Sequence, residues 1–134
     1  MNVKQSVPFF MVTDMQASLR FYVDGLGFTK TGEWIPQDRI EWCWLQYGGA
    51  ALMLQEYREG VRPTGTLGLG VSVCFTCDDA LAIYRETKGR GLSVATRPFV
   101  GNNAWVVEFK DPDGYAVLFE SSTDVPEDTV LEAD

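Results

Sequence analysis

Ala104–Glu120, AWVVEFKDPDGYAVLFE, decides the fold. Two runs of β-branched and aromatic residues flank Asp111-Pro112-Asp113-Gly114. Proline presets φ there, an aspartate side chain can bond its own backbone, and glycine accepts φ > 0. The spacing predicts two antiparallel strands joined by a tight turn, one face buried against a helix.

Upstream of this hairpin, Val71–Cys77 reads as a strand, and Asp78-Asp79 as the cap of a helix running to Lys88 before Gly89 and Gly91. Leu92–Val100 reads as a weaker strand. Tyr57–Gly70 holds Gly60, Pro63, Gly65, Gly68 and Gly70 and reads as a connector. Before it the same order occurs once. Val7–Val12 is a strand, and Asp14 caps a helix to about Gly25 whose apolar stripe is Leu19, Tyr22, Val23 and Leu26. Gly27 stops that helix. Phe28–Ile35 is a strand, and Ile40–Tyr47 and Ala50–Glu56 form a hairpin closed by Gly48-Gly49. An offset of 65 carries Asp14 to Asp79, Val7 to Ser72 and Met53 to Leu118, so the chain is a duplicated βαβββ unit. The expected fold class is α+β: paired βαβββ modules with curled mixed sheets around a cavity. The expected divisions are a first module at residues 1–56, a connector at 57–70, a second module at 71–120 and an acidic tail at 121–134.

With 134 residues, 46% of them hydrophobic, the chain can build a real core. No run is long enough to span a membrane, and no basic-then-apolar leader pattern opens it; a cytoplasmic protein with no membrane partner is expected. The net charge of −8 is concentrated in the tail. Without Asp124, Glu127, Asp128, Glu132 and Asp134 there remain 14 acids against 11 bases. That tail is expected to fray, and with no basic stripe a nucleic-acid partner is excluded. Cys74 and Cys77 form C-x-x-C, but no second pair and no histidine completes a zinc set, and the motif lies in a strand. Cys74 and Cys77 are read as structural, on the burial usual for free cysteine, and with Cys43 the three cannot all pair internally.

The pattern resembles the vicinal oxygen chelate superfamily: glyoxalase I, extradiol dioxygenases, fosfomycin-modifying enzymes and bleomycin-resistance proteins. The resemblance rests on Val12-x-Asp14-x-x-x-Ser18-x-x-Phe21-Tyr22, Leu26-Gly27-Phe28, Gly48-Gly49 before Leu52-Met53-Leu54, Asp78-Asp79 with Gly91, and Asp111-Pro112-Asp113-Gly114-Tyr115. It covers about residues 5–120. It implies four metal-ligand positions, which here hold Val7, Met53, Ser72 and Leu118. None supplies imidazole or carboxylate, and the chain has no histidine, so no metal and no cofactor are expected. The resemblance is then to the metal-free bleomycin-resistance branch, and it implies a homodimer.

Phasing the strands from those positions puts Phe9, Met11, Trp42, Trp44, Gln46, Met53 and Gln55 on the cavity side of the first module. In the second it puts Ser72, Cys74, Glu108 and Leu118 there. These eleven are the candidate ligand-binding residues, with no catalytic residue assigned. Trp faces stack planar rings or hold cations. The expected function is binding of an aromatic or amphipathic small molecule, such as an antibiotic held in sequestration. Two alternatives stand beside it. One is a lyase- or isomerase-type enzyme of the same fold using Glu108 in acid/base chemistry; the other is a structural protein whose cavity is filled.

Overall fold

The structure is a computed structural model and describes residues 2–132; Asp134, counted above in the acidic tail, lies outside them. The chain divides into two compact units, one up to Gly65 and one from Thr66. Each contains a four-stranded mixed sheet.

In the first unit the elements are β1 (Phe9–Val12), α1 (Met15–Leu19) continued by a π-helical segment (Arg20–Leu26), β2 (Thr29–Trp34), β3 (Trp42–Tyr47) and β4 (Ala50–Glu56). The strand order is β1-β4-β3-β2, with β1 parallel to β4 and the other pairs antiparallel. Asp14 caps α1 by accepting from the Ala17 N–H at 3.2 Å. Glu56 accepts the Met15 N–H at 2.7 Å, so β4 and the helix start are tied together. The helix differs from a plain α-helical stripe. Its second half winds with the wider i→i+5 turn, which places Phe21 beside Tyr22 in the core and leaves Val23 half-buried. Gly27, at φ 99, ends it, and the Tyr22 carbonyl accepts from the N–H groups of both Gly27 and Phe28. Phe10, Val12, Cys43, Leu45, Leu52 and Leu54 are buried. They alternate along their strands with half-exposed residues, so one sheet face is covered and the other open.

The second unit repeats this with β5 (Ser72–Thr76), α2 (Ala80–Gly89), β6 (Phe99–Gly101), β7 (Ala104–Lys110) and β8 (Ala116–Ser122), in the order β5-β8-β7-β6. The parallel registers match at the offset of 65: Phe9 pairs with Met53, and Cys74 with Leu118. Asp79 caps α2 through the Ala82 N–H at 3.1 Å. Val107, Phe109, Val117 and Phe119 form the buried face. Gly68, at φ +71, lies so close to Tyr115 that a Cβ would sit 2.7 Å from its Cδ1, so the loop before β5 rests on the turn after β7.

Two expectations change here. Of Leu92–Val100 only Phe99 and Val100 are in a strand. The Leu92 N–H is taken by the Thr87 carbonyl at the end of α2, and Pro98 has no N–H to give to a ladder. The tail does not fray over its described part. Val100 donates to the Thr129 carbonyl at 2.8 Å, Leu131 to Pro98 at 2.8 Å, and Val130 bridges Phe99. Asn102 and Asn103, both at positive φ, turn their N–H groups toward the Glu127 carboxylate at 2.8 and 3.4 Å. An acid that looks like loose solubilising charge therefore anchors the segment.

Candidate functional site

The open face of the first sheet is set by the Gly48-Gly49 turn. Tyr47 pairs with Ala50 across it, so Trp44 falls opposite Met53 and Trp42 opposite Gln55. Phe9 and Met11 join the same rows from β1, opposite Met53 and Gln55. Phe9 is 46% exposed, and Met11, Trp42, Trp44, Met53 and Gln55 are half-buried. Trp44 Nε1–H donates to Gln46 Oε1 at 2.9 Å, and Gln46 Nε2 donates to the Gly48 carbonyl at 3.0 Å. Gln46, read in the sequence as a polar handle for a ligand, thus has both ends of its carboxamide engaged within the sheet.

Trp34 belongs to this face and was not in the candidate set. It lies on β2 directly opposite Trp42 and is 47% exposed. The register of β2 against β3 shifts between Lys30 and Gly32, and that irregularity breaks the two-residue alternation by which the strand would be phased.

In the second sheet Ser72, Cys74 and Thr76 on β5 pair with Ala116, Leu118 and Glu120 on β8, and Glu108 on β7 is opposite Leu118. Ser72 and Cys74 are exposed, while Glu108 and Leu118 are half-buried. Ser72 and Glu108 line a hollow of about 430 Å³ with Lys110, Leu69 and Val71. Two larger hollows hold none of the eleven candidates. One of about 710 Å³ is bounded by Arg39, Glu56, Arg58 and Arg62, and one of about 780 Å³ by Asn102, Asn103, Glu120 and Asp124. Both have largely polar walls; Tyr57, in the first of them, is the one aromatic residue that lines either.

Of the four implied ligand positions, Met53 lies in the row of Phe9 and Trp44 and Leu118 in the row of Cys74 and Glu108. A thioether suits soft Cu(I) and a leucine binds nothing, so these residues do not fit the superfamily's divalent metal. Among the described residues no group of three or more His, Cys, Asp or Glu is placed to hold a metal ion.

The cysteines are free. Cys43 is buried, but the C-x-x-C is not the buried structural pair expected from the sequence: Cys77 is half-buried, and Cys74 is exposed on the edge strand β5. Partial shielding of the sulfur, then the neighbouring Glu120 carboxylate, pushes the Cys74 thiol from 9.0 up to about 11. Burial does the same to Cys43 and raises Cys77. Thiolate is the reactive form, and the higher basicity of that thiolate offsets part of its scarcity, so at pH 8 Cys74 should be alkylated by iodoacetamide roughly tenfold more slowly than an ordinary thiol, despite its exposure. Its rate should climb with pH up to about 11. A time course read by peptide mass spectrometry checks this, and alkylation as fast as free cysteine would refute it.

The comparisons with known proteins agree with this architecture. The model of the Glyoxalase/Bleomycin resistance protein/Dioxygenase superfamily matches residues 6–119, and the chain belongs to that superfamily. It is similar to the uncharacterized protein YetH of Bacillus subtilis (strain 168), 25% identical over 109 residues that cover 81% of this chain and 90% of the relative. Its fold is also that of TnmS3, an antibiotic binding protein from Streptomyces sp. CB03234, with TM-score 0.69, 23% identity, and 92% and 99% of the two chains covered. A bleomycin-binding protein solved in complex with bleomycin matches at TM-score 0.66 and 23% identity, over 90% of this chain and 99% of that one. No helix among the described residues is long and apolar enough to cross a membrane.

Proposed function

We propose that the protein binds an aromatic or amphipathic small molecule without metal and without turnover, as an antibiotic-sequestering protein does. The observation that carries this reading is the open face of the first sheet. Two half-buried tryptophans and Phe9 share this face with Met53, the position at which a catalytic relative would present a metal ligand. Indole faces desolvate and stack planar rings, and a few polar groups orient the rest of the molecule. Gln55 is the available handle on this face; the second unit, taken by itself, offers Ser72 and Glu108 as the polar groups of its own proposed surface. Antibiotic binding by the two structural neighbours supports the same class of ligand. Cys74 and Leu118 complete the proposed second-unit surface.

The assembly we propose is a homodimer, since exposed Leu69 and Val71 are apolar surface that a second copy would cover. Native mass spectrometry tests both parts together. The expected result is a species at twice 15.0 kDa that retains polyaromatic compounds from a mixed panel and carries no stoichiometric divalent metal. A metal-loaded chain that retains none of the compounds would overturn the reading, and a 15.0 kDa species at micromolar concentration would overturn the dimer.

A further inference from the structure

We propose that Trp34, Trp42 and Trp44 form one continuous indole platform on β2 and β3, positioned by Gly32 and Gln46, and that it takes a fused, planar aromatic system rather than a single ring. This rests on the binding reading above and narrows its ligand class.

The register puts the three tryptophans on one face of the sheet. Trp34 is directly opposite Trp42, and Trp44, two residues along, is opposite Gly32. Opposed residues on one face have Cβ atoms about 5 Å apart, and neighbours two along a strand are about 7 Å apart. A single six-membered ring in this array covers one indole, whereas a linear tricycle reaches two.

Gly32 explains how the rings form a surface. A Cβ built there would lie 3.7 and 3.8 Å from Cζ3 and Cη2 of Trp42, and 3.5 Å from the Cβ of Trp44. The six-membered ring of Trp42 therefore lies against bare backbone between the other two tryptophans. The Gln46 carboxamide fixes the third ring, passing the rigidity of the Gly48 turn to the indole N–H of Trp44. An aromatic surface held in place before binding loses less entropy when a ring docks. Gln46 is thus a positioning residue, and Trp34 a ring-contacting one. β2 is an edge strand that carries the charged pair Lys30 and Glu33, and Trp34 is its one large apolar side chain, 47% exposed. No residue of the open-face rows Phe9–Met53–Trp44 and Met11–Gln55–Trp42 is charged, so recognition falls to the ring faces, which favour neutral or cationic systems.

Two cationic probes separate the classes: proflavine, a planar tricycle, and benzamidine, a single ring. Titration of the full chain should give proflavine binding at least about tenfold tighter than benzamidine. Trp34→Ala should weaken proflavine roughly tenfold and leave benzamidine unchanged. Gln46→Leu, which frees the Trp44 indole, should weaken proflavine several-fold and shift the tryptophan emission. Gln46→Glu, which keeps an acceptor for that N–H, should retain most of the affinity. A denaturation midpoint close to wild type in each variant keeps these readouts separate from folding. Proflavine binding that depends on Trp44 but not on Trp34 would overturn the platform and leave the binding reading standing, and equal affinity for the two probes would do the same. Failure of both probes to bind would overturn both.

Discussion

Asp111→Ala is expected to lower the stability of the protein by about 2–4 kcal/mol, more than any surface change outside the core. Asp111 is only 5% exposed, and its Oδ1 accepts the N–H groups of Asp113 and Tyr115, each at 2.9 Å. Two main-chain bonds close the same turn: Gly114 N–H to the Asp111 carbonyl, and Asp111 N–H to the Tyr115 carbonyl, both 2.9 Å. Alanine leaves two partly buried donors without that acceptor, at roughly 1–3 kcal/mol each. Tyr115 also supports Gly68, so the loop before β5 should loosen with it. Asp111→Asn keeps an acceptor and should retain more than half of the lost stability. Urea denaturation of the two variants makes the comparison, and an alanine loss under about 0.5 kcal/mol would mean that the main-chain bonds alone define the register.

That turn was legible in the sequence because its chemistry is local, and so were Asp14 and Asp79 as caps and Gly27 as a stop. The Trp44–Met53 pairing was legible for the same reason, since a two-residue turn leaves no freedom of register. Glu108 could be phased because Trp105, Val107 and Phe109 sort to the opposite face. What escaped depends on distant partners or on broken periods. Nothing near Glu127 in the chain signals that it will meet Asn102 and Asn103. Trp34 was not assigned a face, because the irregularity between Lys30 and Gly32 cancels the alternation that located Trp42 and Trp44. Gln46 was placed on the correct strand, but its two bonds lie within its own hairpin and are visible only with side chains in position. The wider turn of residues 20–26 has no compositional mark at all, and it moved Phe21 into the core in place of Val23.

Trp44→Ala should separate a receptor from a filled core. Trp44 is half-buried on an open face, its N–H is satisfied by Gln46, and Gly32 opposite it contributes no side chain. Removing the indole takes away a stacking surface worth roughly 1–3 kcal/mol to an aromatic ligand, so affinity should fall about tenfold or more. Stability should fall by only about 1 kcal/mol, because the covered face, with Cys43, Leu45, Leu52 and Leu54, loses no contact. A core filler behaves in the opposite way: excising a fully packed tryptophan leaves a hole and costs roughly 3–5 kcal/mol. Chemical denaturation and ligand titration on the same variant therefore give a two-sided result. A large loss of binding with a small loss of stability supports the open aromatic face as the functional surface. A stability loss at the core end of the scale, with no compound bound by the parent protein, would mean that the indole is packing and the function lies elsewhere.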